Sequence, residues 1–130
     1  MTLVELLMAV GLLMLVFGGL FSSFQIVTTL IGSSKAQSGA LALANEKIEY
    51  IRSLPYDDVG TLNGIPHGPI PQTSSTTLNG ILYSERVLIE YIDDDADGEG
   101  ASDTNGILAD YKLVKVEYTW TEKGNTKTIS

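Results

Sequence analysis

Four carboxylates, Asp93, Asp94, Asp95 and Asp97, fall within five positions, and Gly98 follows them directly. Asp93, Asp95, Asp97 and Gly98 reproduce the first half of a D-x-D-x-D-G loop, in which alternating carboxylates converge on a hard cation and the glycine makes the sharp turn. That pattern points to Ca2+ as a cofactor. The second half departs from it: Thr104 holds the twelfth position, where a bidentate Glu is expected, which leaves Asp103 or Asp110 as the substitute ligand. The competing reading is a solvated acidic surface loop whose Asp and Gly residues serve turns. A further carboxylate, Glu5, stands alone in front of a long apolar run, and there the chemistry is charge neutralisation rather than catalysis.

Composition removes most other chemistry. The chain has 130 residues with 16 acidic and 8 basic side chains, a net charge of −8, one His and no Cys. No disulfide, thiol nucleophile or zinc-thiolate site is available without Cys. A Ser-His-Asp triad would have to be built on His67, which lies between Pro66 and Pro69 in a loop and reads as a solvated residue. The negative balance argues against a phosphate-binding face, so no direct basic nucleic-acid site is expected. No Gly-rich phosphate loop or catalytic carboxylate pair emerges, and an enzyme is not the expectation.

Every residue from Leu6 to Phe21 is apolar or Gly, and the 29 residues between Glu5 and Lys35 carry no charge. Roughly 20 mostly apolar residues cross a bilayer core of about 30 Å as a helix, so this stretch is long enough. A secretory signal peptide fits poorly, because no Lys or Arg precedes Lys35 and no A-x-A-like site follows near Phe21. Glu5 is awkward for a plain anchor, since a carboxylate in lipid wants a partner. The α-amino group of Met1 lies about one helical turn away and can pair with it within a chain, or between staggered neighbouring chains, where the pair would mark register. Phe17, Phe21 and Phe24 share one helical face and read as packing. Gly11 reads as a close helix-packing point and Gly18-Gly19 as a place where the helix can locally melt; tolerated lipid-facing glycines are the alternative.

Met1-Thr2-Leu3-Val4-Glu5-Leu6-Leu7-Met8-Ala9-Val10 resembles the processed N-terminus of type IV pilins and type II secretion pseudopilins. Thr2 and Glu5 both occupy the family's positions directly before the apolar run. Met1 stands where Phe is usual, Gly18-Gly19 stand near the family's frequent Pro, and the family's C-terminal disulfide is absent. The resemblance covers about 25 residues closely. It implies a mature chain methylated on residue 1, with Met1, Thr2 and Glu5 as assembly residues. The implied partners are other copies in a helical filament, a prepilin peptidase, the pilus assembly machinery, and the membrane before assembly. The implied location is the inner or cytoplasmic membrane first and the cell surface or an extracellular filament afterwards.

These residues require two positioning elements. Leu41, Ala44, Ile48 and Ile51 recur at steps of three, four and three, which describes one apolar stripe on a helix that Pro55 ends. One helix over about residues 1–54 is therefore expected, with residues 1–25 as membrane or filament-core helix and 26–130 as amphipathic helix plus globular domain. Residues 55–75, with four Pro and a Ser/Thr cluster from Thr73 to Thr77, read as loop. Asn79-Gly80 is the preferred dipeptide for a two-residue hairpin. A strand follows to about Ile92 with Val87, Ile89 and Tyr91 on one face. A third runs from Tyr111 to Trp120 with Val114, Val116, Tyr118 and Trp120 together, then a turn from Thr121 to Gly124, then a strand from Asn125 to Ile129. The expected fold is α+β: a long N-terminal helix packed through its C-terminal half on an antiparallel meander of about four strands. The expected function is a structural filament subunit serving adhesion, motility, DNA uptake or secretion. The alternative is a monomeric single-pass anchor presenting a calcium-binding or adhesive module.

Overall fold

The uncharged stretch and the amphipathic stretch behind it form one α-helix, α1, over Leu3–Ser53. It starts after Thr2 and stops two residues before Pro55, whose ring disfavours helical backbone at Leu54. This computed structural model describes residues 2–93, 98 and 110–130. The chain divides into two compact units, Met1–Gln37 and Ser38–Ser130.

The second unit holds a four-stranded antiparallel sheet in the order β1-β2-β3-β4, with β1 over Thr73–Leu78, β2 over Ile81–Ile92, β3 over Tyr111–Glu122 and β4 over Asn125–Ile129. With the helix against the strands, the fold is α+β, as expected. Asn79 and Gly80 both have positive φ, 54° and 80°, and so do Lys123 and Gly124, 49° and 79°. Both hairpins therefore close through two-residue turns whose twist matches that of the strands. The second turn is accordingly shorter than the expected Thr121–Gly124, and β3 continues to Glu122.

Alternation sorts the sheet into two faces. Tyr83, Glu85, Val87 and Ile89 of β2 and Val116, Tyr118 and Trp120 of β3 are buried, and pairing places Tyr83 opposite Trp120 and Val87 opposite Val116. The rings of Tyr83 and Trp120 lie 5.9 Å apart at 52°. On the outer face, Ser75, Ser84, Thr119 and Thr128 stand in one row across all four strands. Beside this row Thr77 pairs with Leu82 and Thr121 with Thr126.

Tyr91 keeps the face it shares with Val87 and Ile89, as expected, and is 44% exposed there. Two expectations need correction. Thr73–Ser75 is strand rather than loop: its Ser and Thr side chains suit a half-exposed pleat, and β2 supplies the ladder. The helix face turned from solvent runs through buried Gly39, Ala40 and Ile51 and half-buried Leu43, Ala44, Lys47 and Ile48; it includes the expected Ala44, Ile48 and Ile51, whereas Leu41 is 49% exposed. The cause is close approach. A Cβ at residue 39 would lie 2.8 Å from the Tyr83 hydroxyl, so the helix face nearest the sheet is chosen for smallness, which apolar periodicity underweights.

Residues 54–72 fold over one end of this core. A 3-10 turn over Tyr56–Asp58 is held by Lys112, which donates to the carbonyls of Tyr56 at 2.7 Å and Val59 at 2.8 Å. Gly60 and Gly68 lie back to back, because a Cβ on either would come within 2.6 Å of the other segment's backbone.

Candidate functional site

Two places in the chain hold residues arranged for more than packing: the start of α1 and a polar cluster between α1 and the sheet.

At the helix start, the Thr2 hydroxyl accepts the Glu5 backbone N–H at 3.3 Å, and the Glu5 carboxylate accepts the Thr2 backbone N–H at 3.4 Å. This is a reciprocal capping box, which satisfies two of the N–H groups that a helix terminus leaves without partners. The signal for it is Thr-x-x-Glu before an apolar run, a pattern that the charge of Glu5 overshadows when the sequence alone is considered. Met1 lies outside the described residues. Glu5 also places negative charge in the first turn, where the helix dipole favours it.

Downstream, the large apolar side chains from Leu3 to Ile31 are all between 45% and 76% exposed. The helix is long and apolar enough to cross a membrane. Its few polar side chains turn back onto the helix: Ser22 and Ser23 donate to the carbonyls of Gly18 at 2.9 Å and Gly19 at 3.0 Å, and Thr28 and Thr29 both donate to Gln25 at 2.9 Å. Satisfied internally in this way, hydroxyls are compatible with hydrocarbon surroundings. Gly11, Gly18 and Gly19 are helical, and a Cβ at any of them would meet open space.

Compared with protein-family models, curated proteins and solved structures, the chain matches none. Its function has to be reasoned from its own residues.

The second cluster is buried. Glu85 of β2 is 6% exposed; Lys47 of α1 reaches its Oε1 at 2.7 Å, and the Tyr118 hydroxyl donates to its Oε2 at 2.5 Å. Burial first, and then the bond to Glu85 and its charge, push the Tyr118 phenol well above its ordinary range, so it remains a neutral donor. Oε2 thus accepts a hydrogen bond, whereas Oε1 is met by the Lys47 charge as an ion pair without an aligned hydrogen bond. A cleft of about 420 Å³ opens beside this cluster, lined by Glu46, Lys47 and Tyr50 of the helix and Ser74 and Thr76 of β1 among others. The sequence signal for it is a Glu in phase with Tyr83, Val87 and Ile89, a charge placed on the buried face of a strand.

Of the acidic loop, Asp95, Asp97 and Asp103 lie outside the described residues. Asp93 follows the end of β2, and its Oδ1 is buried with no hydrogen-bond partner among the described residues. Asp110 precedes β3, whose first residue Tyr111 pairs with Ile92. His67 is exposed, with its backbone bridged to Thr61.

Proposed function

We propose that this chain is a structural subunit of a type IV pilus-like helical filament, held in the membrane by its N-terminal helix before assembly. The observation that carries this reading is an α-helix whose first 29 residues leave every large apolar side chain exposed, opened by a Thr2–Glu5 box at the positions the pilin and pseudopilin N-terminus uses. Such a surface has to be covered by lipid or by other copies. Side-by-side packing of like helices covers it in a filament, with Gly11 as a close-packing point. Prepilin peptidase and the pilus assembly machinery are the partners this implies, and the cell surface or extracellular space is the destination. The test is expression of the full chain with a pilus assembly system, followed by shearing, ultracentrifugation and electron microscopy. Fibres that contain the chain support the reading. Membrane-bound chain that never leaves the bilayer overturns it and leaves the single-pass anchor.

Within the same reading, the loop after β2 is proposed to bind Ca2+ through Asp93, Asp95, Asp97 and Asp103. The buried Asp93 Oδ1, unpartnered among the described residues, supports a cation there. Binding to the folded state alone would stabilise it by about 2.7 kcal/mol at 100 times the dissociation constant, or several degrees of Tm. Identical melting curves in chelator and in millimolar calcium would remove the ion.

A further inference from the structure

Among the described residues the sheet has two free edges, and they match one another. Two-residue hairpins close on hydrogen-bonded pairs, here Leu78 with Ile81 and Glu122 with Asn125. Counting back along β1, Ser74, Thr76 and Leu78 direct their N–H and C=O groups to β2, whereas Thr73, Ser75 and Thr77 direct theirs outward. The Gln72 carbonyl, which accepts from Val87 at 2.9 Å, fits this phase. On β4 the same count leaves Thr126 and Thr128 facing outward. Natural edges are usually blunted by charge, proline or a bulge. β1, Thr-Ser-Ser-Thr-Thr-Leu, has no charge and no proline, and its register with β2 is unbroken.

Direction and charge agree as well. In a four-stranded meander the first and last strands run oppositely, so two copies related by a shift along the sheet bring β4 of one antiparallel to β1 of the next. Beside the free edge of β1 lies the cleft that contains Glu46. On β4, Lys127 is exposed on the sheet face that Ser74 and Thr76 share. Neither Glu46 nor Lys127 has an ion-pair partner among the described residues.

We propose that β4 of one copy adds antiparallel to the free edge of β1 in the next, with Thr128 opposite Ser75, Thr126 opposite Thr77, and Lys127 reaching Glu46 in the cleft. Outward backbone groups then meet outward backbone groups, and the hydroxyl rows of the outer face continue from copy to copy. The contact is heterologous and does not close on itself, so it propagates along an open assembly. A five-residue strand is a small interface. It depends on the apolar helices to hold copies side by side, and so rests on the filament reading.

The absence of Cys makes the test direct. Full-length chain carrying both Ser75→Cys and Thr128→Cys, embedded in membranes with the assembly system, is treated with a short thiol-to-thiol cross-linker. A ladder of multimers is expected, with at most about a tenth of that yield from either single variant. Adding Thr77→Pro should abolish the ladder while leaving the melting temperature of the second unit unchanged, because that N–H points away from β2. Lys127→Glu should lower the yield about tenfold, and Glu46→Lys added to it should restore it. Absence of the ladder, equal yield from single variants, or persistence with Thr77→Pro overturns the edge pairing. Electron microscopy of the parent separates the two ideas: fibres without a ladder sink only the edge pairing, a ladder without fibres sinks only the filament, and neither sinks both.

Discussion

Lys47 of α1 and Glu85 of β2 meet at 2.7 Å inside the second unit, with the Tyr118 hydroxyl on the other oxygen of the same carboxylate. The pair ties helix to sheet at a fixed register, because no other cation reaches Glu85 among the described residues. Removing one partner is worse than removing both, since a lone buried carboxylate has lost its compensation.

Lys47→Met should therefore destabilise the second unit by about 3–5 kcal/mol, and Lys47→Met with Glu85→Leu by markedly less. Denaturant melts of the two variants check the order. A double variant less stable than Lys47→Met would mean that the pair contributes more than its desolvation removes.

Alkaline stability should carry the signature of Tyr118. Its folded pKa lies above the unfolded value of about 10, so its contribution is complete below pH 10 and is lost as pH rises beyond that. Tyr83, raised by burial, adds to the same window. Tyr118→Phe should flatten the fall in Tm between about pH 10 and the alkaline limit of folding; an unchanged slope would place the loss elsewhere.

Glycine substitutions along α1 should differ in sign. Gly39→Ala sets a methyl group 2.8 Å from the Tyr83 hydroxyl and should lower stability by about 1–3 kcal/mol. Gly32→Ala meets open space and should raise helix stability by up to about 1 kcal/mol. Thermal melts in detergent resolve the two, and the same sign at both positions would contradict the close approach at residue 39.

Glu5 offers a way to separate capping from charge. Gln serves the N3 position of a capping box, so Glu5→Gln keeps the helix start and removes only the charge, whereas Glu5→Ala removes both. Both variants should insert in the membrane, and both should be excluded from fibres when competing with the parent. Normal incorporation of Glu5→Gln would reduce Glu5 to a helix cap.

The coarse fold is legible in the sequence because its strongest signals are local. Pro55 ends a helix by its own ring, Asn79-Gly80 selects a hairpin by its positive φ angles, and alternation along Val114, Val116 and Tyr118 selects a face. Less legible are features set by partners distant in sequence. Leu41 belongs to an apolar period, but the Tyr83 ring decides which face of the helix comes close, and it favours Gly39. Thr73–Ser75 reads as loop by composition and becomes a strand because β2 offers hydrogen bonds. At the candidate site, Thr2 and Glu5 are visible as a pair, but their mutual hydrogen bonds each join a side chain to a backbone N–H and are not written in hydropathy. Lys47 and Glu85, far apart in the chain, are joined only by the packing of helix on sheet.

The rows of hydroxyls on the outer face of the sheet bear on how this surface meets water. Ser75, Ser84, Thr119 and Thr128 bind solvent strongly yet neither titrate near neutral pH nor attract counterions. Their hydration is thus nearly indifferent to acidity and ionic strength. On a chain with a net charge of −8, such a neutral wet panel is where copies can come near one another without first collecting cations from the medium.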